Sequence, residues 1–142
     1  MLNNKGKRIL AADMGEQRVG LAISDELGML AHPLCTIKWS GFKKFIAELQ
    51  NIINENKIDK LIVGVPYTLK GGHSKKTREI KEICIRIRDN IDIELIEVDE
   101  RLTTKMAEQT LQALGKKPSK NRDKIDQIAA VYILQSYLDR SI

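Results

Sequence analysis

The sequence is poor in cysteine, histidine and aromatic residues. It has two cysteines and two histidines among 142 residues, and aromatic side chains make up 4% of the total. Two cysteines are too few for a disulfide framework, and neither Cys35 nor Cys84 has a second cysteine or a histidine at ligand spacing, which excludes a zinc site of the common kind. We expect both thiols to be buried small hydrophobic side chains. His32 and His73 are isolated from each other, and we assign them no catalytic role.

Long apolar runs are also missing, and no secretion signal is visible at the start of the chain. We therefore expect a cytoplasmic protein that has no membrane partner. The scarcity of aromatic residues disfavours recognition of single-stranded nucleic acid by base stacking, although contacts to the phosphate backbone remain open.

What the sequence does contain is positive charge and enough apolar residues for one core. Lys and Arg total 24 against 19 Asp and Glu, which gives a formal charge of +5 and a pI near 9.2. This excess favours a polyanionic partner. The length and the 42% hydrophobic content suit a single domain that spans residues 1–142.

The hydrophobic periodicity predicts an α/β fold in the order of three strands, helix, strand, helix, strand and two helices. The first three strands form an antiparallel meander, and Pro33 places the third at an edge of the sheet. Each later strand follows a helix and therefore adds in parallel through a right-handed crossover. In such mixed sheets, sites form beyond the carboxyl ends of the parallel strands.

Acidic residues stand at three places that this topology brings to one edge. Asp13 closes the first strand, Asp99-Glu100 closes the last one, and Asp126 lies on the inner face of the final helix. An inward carboxylate is costly unless a cation neutralises it. The alternatives are that Asp13 only caps a turn and that Asp126 forms a salt bridge. Asp123 is a weaker candidate, because the helix dipole explains a carboxylate in the first turn.

Basic residues concentrate in two segments. Five cations and one acid occupy Lys116 to Lys124, which we expect to be a mobile basic loop. Ser74 is placed to cap a helix whose first turns carry Lys75, Lys76, Arg78 and Lys81. Cations there oppose the helix dipole, so they favour an anion-facing surface, although a solvated face remains an alternative. The Gly71-Gly72 pair before this helix is either a flexible turn or an approach to phosphate.

Several blocks together resemble the YqgF (RuvX) family across nearly the whole chain. They are Asp13-Met14-Gly15, Arg18 to Asp25, Gly64-Val65-Pro66, Val98 to Thr104 and Asp126 to Ala130. The resemblance implies a ribonuclease H-like fold, a mixed five-stranded sheet with helices on both faces. It also implies a Mg²⁺-dependent cytoplasmic nuclease that trims the 5′ end of precursor 16S ribosomal RNA. Loops depart from the family pattern at Glu16-Gln17 and at Thr68 to Gly71.

Within this resemblance, Asp13 is the central ligand for a pair of Mg²⁺ or Mn²⁺ ions, with Glu100 second and Asp126 third. Two such ions about 4 Å apart activate a water and neutralise both the attacking and the leaving oxygen. Strand alternation puts Asp99 and Glu100 on opposite faces, and the sequence does not say which one meets Asp13; we choose Glu100. The candidate phosphate contacts are Arg18, Arg101, Lys116, Lys117, Lys120 and Arg122.

Three other functions compete with an RNA nuclease. A sugar kinase or actin-like ATPase also opens with Asp-x-Gly, but such enzymes close two domains on a nucleotide. A non-catalytic RNA- or ribosome-binding module and a Holliday junction resolvase remain. We prefer RNA over branched DNA, and a monomer or weak homodimer, because every strong apolar stripe is needed to cover the sheet.

Overall fold

The computed structural model describes residues 7–100 and 103–140. Within these ranges the chain forms one five-stranded sheet and four α-helices. No helix in the described part of the chain is long and apolar enough to cross a membrane. The strands are β1 (Arg8–Met14), β2 (Arg18–Ser24), β3 (Ala31–Lys38), β4 (Ile58–Val65) and β5 (Glu94–Asp99), and the helices are α1 (Phe42–Glu55), α2 (Lys75–Asn90), α3 (Thr103–Ala113) and α4 (Arg122–Arg140).

The strand order is β3-β2-β1-β4-β5. β1, β2 and β3 pair antiparallel, whereas β4 adds to β1 and β5 adds to β4 in parallel. The predicted mixed sheet is confirmed. β3 lies at one edge, as Pro33 predicted, because a proline cannot donate a hydrogen bond to a second neighbour.

The two faces of the sheet are packed differently. On one face, Val19, Leu21 and Ile23 of β2 join a large core that contains the buried sides of α1 and α2. On the other face, β2 presents the small residues Gly20, Ala22 and Ser24 toward α4. Small side chains let two backbones approach closely. α4 therefore lies closer to the sheet than bulky residues would allow.

Two helix ends show the chemistry typical of their residues, and the Ser74 cap was predicted. Ser74 caps α2 in a capping box with Thr77, whose hydroxyl also donates to the carbonyl oxygen of Pro66 at 2.6 Å. Gly115 follows α3 with φ +76°, in the left-handed conformation that favours glycine.

The basic segment, Lys116 to Lys124, is more ordered than expected. A short 3₁₀ turn, Pro118–Lys120, interrupts it, and α4 already begins at Arg122. The side-chain amide of Asn121 donates to the carbonyl of Lys117 at 2.8 Å, and the Asn121 carbonyl accepts the first helical bond from Ile125 at 3.0 Å. The expectation of a nine-residue loop was wrong, because these local bonds give the backbone a regular path.

The cysteines differ in burial. Cys84 is fully buried on the inner face of α2, as predicted, and burial raises the pKa of its thiol to about 11. Cys35 is only half-buried, because β3 is an edge strand with a thinner cover.

Candidate active site

Asp13 lies inside the sheet and not beyond it. β1 runs one residue further than expected, to Met14, so Asp13 pairs directly with Gly20 of β2. Its neighbours Ala12 and Met14 belong to the α1–α2 core, so the Asp13 side chain faces the opposite side, toward α4. The residue is 6% exposed. A carboxylate is thus held almost out of water at the carboxyl end of a central strand.

Gly20 allows Asp126 to reach this carboxylate. A Cβ at Gly20 would lie 2.2 Å from the carbonyl carbon and oxygen of Asp126, so only glycine lets α4 pass here. The Oδ1 of Asp126 also lies 3.7 Å from where a Cβ at Gly15 would stand. The half-buried Asp126 therefore points inward over the β1–β2 turn, as its position on the helix predicted.

Gly64 makes room for the third acid. Glu100 directly follows β5, its amide donates to the carbonyl of Val65 at 3.0 Å, and it is 8% exposed. A Cβ at Gly64 would stand 2.6 Å from the Glu100 Cγ. Asp99 is exposed, and only Glu100 of the two is buried. The structure thus brings Glu100, and not Asp99, beside Asp13.

The proximity of these acids appears in their ionisation. Burial, together with the negative charges of Glu100 and Asp126, raises the pKa of Asp13 to about 8. A hydrogen bond between the Asp13 and Glu100 carboxyl groups acts in the same direction, since it favours a proton on Asp13. Lys76 opposes the shift. Near neutral pH the metal-free site therefore retains a proton on this pair.

Asp126 has a more balanced environment. Burial raises its pKa, while the positive charges of Arg18, Lys76 and Arg122 lower it. Asp126 therefore interacts electrostatically both with Asp13 and with cations that suit the phosphates of a nucleic acid.

The acids suit a hard divalent cation, although they do not form a finished cage. Among residues 7–100 and 103–140, no three carboxylate, imidazole or thiol side chains are arranged to hold a metal ion as they stand. Asp13, whose pKa is raised by the charges of Glu100 and Asp126, is nevertheless stabilised when a cation replaces its proton. Carboxylate oxygens are also the ligands that Mg²⁺ prefers. The residues fit a metal after side-chain adjustment.

The predicted phosphate-binding residues lie around this centre to different degrees. Arg18 and Arg122 line a cleft of about 340 Å³ together with Asp126. Lys116, Lys117 and Lys120 are exposed on the basic segment that precedes α4. A side-chain hydrogen bond with Lys124, together with the positive charge of that residue, lowers the pKa of Lys116, which indicates a local excess of positive charge. Arg101 lies outside the described residues.

The role of Lys76 among the four cations in the first turns of α2 was not predicted from the sequence. Lys75 pairs with Glu79 at 3.8 Å, Lys81 pairs with Glu97 at 2.9 Å, and Arg78 donates to the carbonyl of His73 at 3.2 Å. Lys76 instead acts electrostatically on Asp13 and Asp126. The capped helix start indicated the cluster, but only the orientation of α2 singles out Lys76.

The Gly71-Gly72 pair is not oriented as a phosphate cradle. The amide of Gly71 donates to the Thr68 carbonyl at 2.8 Å, and the amide of Gly72 donates to the Thr68 hydroxyl at 2.8 Å. Both donors are used inside the loop. The structure therefore agrees with the turn interpretation of this pair.

Comparison with known proteins identifies the family. The family model described as "RuvX: Holliday junction resolvase" matches residues 7–140. The chain belongs to the RuvX family. A protein of Sulfurihydrogenibium sp. (strain YO3AOP1) is 43% identical over 135 residues, covering 94% of this chain and 90% of the relative. A protein of Clostridium tetani is 39% identical over 132 residues, covering 93% and 96%. Both are named "Putative pre-16S rRNA nuclease".

Solved structures agree on the architecture of this RuvX-family protein. Thermus thermophilus RuvC in complex with a Holliday junction substrate matches with TM-score 0.56 and 13% identity, over 94% of this chain and 96% of that one. The fowlpox virus resolvase in complex with junction DNA gives 0.55 and 17%, over 95% and 99%. The predicted ribonuclease H-like fold, family and nuclease class are confirmed.

Proposed function

We propose that this RuvX-family protein is a divalent-metal-dependent endonuclease that processes the 5′ end of precursor 16S ribosomal RNA. The observation that carries the proposal is the convergence of Asp13, Glu100 and Asp126 at one edge of the sheet, where burial and mutual repulsion raise the pKa of Asp13. Such a cluster is unfavourable in a protein that only binds RNA. The names of the sequence relatives supply the substrate.

In this proposal Asp13, Glu100 and Asp126 hold Mg²⁺ or Mn²⁺, as two ions. When bound, these cations lower the pKa of a water and neutralise charge that develops on the phosphate oxygens. Asp13 would hold a cation in its deprotonated form, and Gly20 and Gly64 keep the other two acids within reach of it. The residues act as ligands fixed from three different elements.

Cations of the chain position the RNA around these acids. Arg18, Arg122 and Lys76 act on Asp126 and are close enough to attract the scissile phosphate. Lys116, Lys117 and Lys120 extend the positive surface along the RNA strand, and we assign Arg101 to the same role. Contacts of this kind set register and orientation and carry no sequence information.

A matched pair of variants tests the proposal. Glu100→Gln removes a buried carboxylate beside Asp13, whereas Asp99→Asn makes the same change on the exposed side of the same strand end. We expect Glu100→Gln to reduce Mg²⁺-dependent cleavage of a precursor 16S RNA by at least about a hundredfold. Asp99→Asn should stay within a few fold of the parent. Equal activity of all three proteins would refute the assignment.

Two alternatives are separated by other measurements. A non-catalytic RNA-binding module predicts no anomalous density among Asp13, Glu100 and Asp126 in crystals soaked with Mn²⁺, where the nuclease predicts a peak. Junction resolution is favoured by the description of the family model and is tested by substrate choice. The cytoplasmic location stays a prediction.

A further inference from the structure

A cavity of about 380 Å³ opens at the same edge of the sheet as the acids, on the opposite face. Met14 and Ile83 form apolar walls, Trp39 adds an aromatic surface, and Lys76 and Glu79 supply charge. Met14 directly follows Asp13, and the charge of Lys76 acts on both Asp13 and Asp126. A chain that crosses this edge of the sheet can therefore contact the acids and the cavity together.

Trp39 is held in place from two sides. Its amide donates to the carbonyl of Gln17 at 2.8 Å, and its ring packs against Phe45 with centroids 4.9 Å apart. The side chain nevertheless remains half-exposed and lines the cavity. It is the only tryptophan in the sequence. A fixed, partly open aromatic ring is the feature on which an unpaired base stacks.

The charges favour a base over a phosphate inside the cavity. Glu16 and Glu79 both line it, while Lys76 is its single cation among the described residues. Two carboxylates repel a phosphate, but they accept hydrogen bonds from an exocyclic amino group. The volume lies within the range of small-molecule sites, about 300–1,000 Å³.

We propose that this cavity binds the base of an RNA nucleotide that flanks the scissile phosphate, with Trp39 stacking on the base and Glu79 accepting a hydrogen bond from its amino group. Lys76 then contacts the phosphate between the cavity and the acids. The inference rests on the proposed nuclease function and adds a preference for bases that carry an amino group. The low aromatic content of the chain argues against a stacking platform, but one well-placed ring is enough for one base.

Tryptophan fluorescence tests this site without cleavage. In EDTA, we expect the tetranucleotide rC4 to quench Trp39 emission and rU4 to bind at least about fivefold more weakly, because cytosine and uracil have the same ring size and differ in the amino group. Glu79→Gln, whose amide both donates and accepts, should reduce this ratio to less than about twofold. The ratio of the rC4 and rU4 affinities is the readout, because removing a negative charge strengthens the binding of both RNAs.

Anisotropy of fluorescein-labelled rC4 measures the contribution of the ring. We expect Trp39→Leu to weaken binding about tenfold, within the range known for one stacked base, and Trp39→Phe to stay within about threefold of the parent. Phe42→Leu is the matched control, because Phe42 packs on Phe45 at 6.3 Å but does not line the cavity. It should leave binding unchanged.

The outcomes separate this inference from the nuclease proposal. If rC4 leaves Trp39 emission unchanged, or if Phe42→Leu weakens binding as much as Trp39→Leu, the base site is refuted even when cleavage depends on Glu100. If rC4 quenches Trp39 with the expected preference while Glu100→Gln cleaves normally, the base site stands and the active-site assignment falls.

Discussion

At the scale of single residues, the acids show what a sequence can and cannot specify. Asp13 and Asp126 were predictable, because a strand end and an inward helix face follow from hydrophobic periodicity. The choice between Asp99 and Glu100 was not predictable. Strand alternation places the two side chains on opposite faces of the sheet, but it does not say which of them faces Asp13. Trp39 and Lys76 were missed for a related reason, because only the packing of loops and α2 against the sheet brings them to the cavity beside the acids.

Asp13 also makes the stability of the metal-free protein depend on pH. Its carboxyl ionises near pH 3.8 in an unfolded chain and near pH 8 in the folded one. Between these values the folded state binds more protons than the unfolded state, so stability decreases as pH rises from about 4 to about 8. The loss amounts to roughly 6 kcal/mol at most, and the raised pKa of Asp126 acts in the same direction.

We therefore expect Asp13→Asn to raise the Tm in EDTA at pH 8 and to flatten its dependence on pH, because the amide has no charge to bury. The variant should also lose divalent-dependent cleavage. Thermal unfolding in EDTA at pH 5, 6, 7 and 8 measures the first effect. Parallel curves for the two proteins would show that Asp13 does not carry the buried charge.

At the scale of elements, the contact between β2 and α4 positions the site. Large and small residues alternate along β2 in the sequence, a pattern typical of a strand with one packed face and one small face. The reason for the small face was not visible, because it depends on which helix crosses there. The structure gives the reason at Gly20, because the Asp126 backbone occupies the space that a side chain would fill.

Gly20→Ala should therefore damage both folding and activity. The new methyl group would stand 2.2 Å from the Asp126 backbone, so α4 must move outward. We expect a loss of about 1–3 kcal/mol in the free energy of unfolding, typical of overpacking, and lower cleavage at saturating Mg²⁺. Gly72→Ala is the control, because its methyl group would meet only the Thr68 hydroxyl, at 3.2 Å. Denaturant unfolding that shows equal losses for the two variants would contradict this account.

The basic segment before α4 should act through phosphates. Replacing Lys116, Lys117 and Lys120 with Gln should weaken RNA binding and reduce its salt dependence by up to about 0.7 log units per lost contact with a single strand. Cleavage at saturating RNA should change little. Replacing Lys7, Lys43 and Lys44 with Gln removes the same charge from exposed positions elsewhere and serves as the control. Equal salt slopes for both triple variants would mean that the segment only adds net charge.

At the scale of the whole molecule, the mixed character of the sheet was predictable from the sequence, since antiparallel neighbours can be joined by short turns and parallel neighbours need crossovers. The assembly state does not follow in this way. In the part of the chain that the structure describes, Leu27, Met29 and Leu30 at the β2–β3 turn form a group of exposed large apolar side chains, at 81%, 60% and 56% exposure. Three residues at one turn are far fewer than an obligate dimer interface uses, which typically buries 2,000 Å² or more.

This surface bears on the choice between RNA processing and junction resolution. A resolvase makes two symmetric cuts and therefore needs a dimer with paired sites, whereas a single cut in a precursor RNA needs one site. We expect a monomer or weak dimer that cleaves structured precursor 16S RNA faster than a four-way DNA junction. The measurement is cleavage of both substrates at equal concentration with Mg²⁺, together with the mass in solution by light scattering. Asp13→Asn serves as the blank for contaminating nucleases. A stable dimer that makes paired nicks in the junction and leaves the RNA intact would reverse the assignment, and the exposed apolar turn would then be the first place to look for its interface.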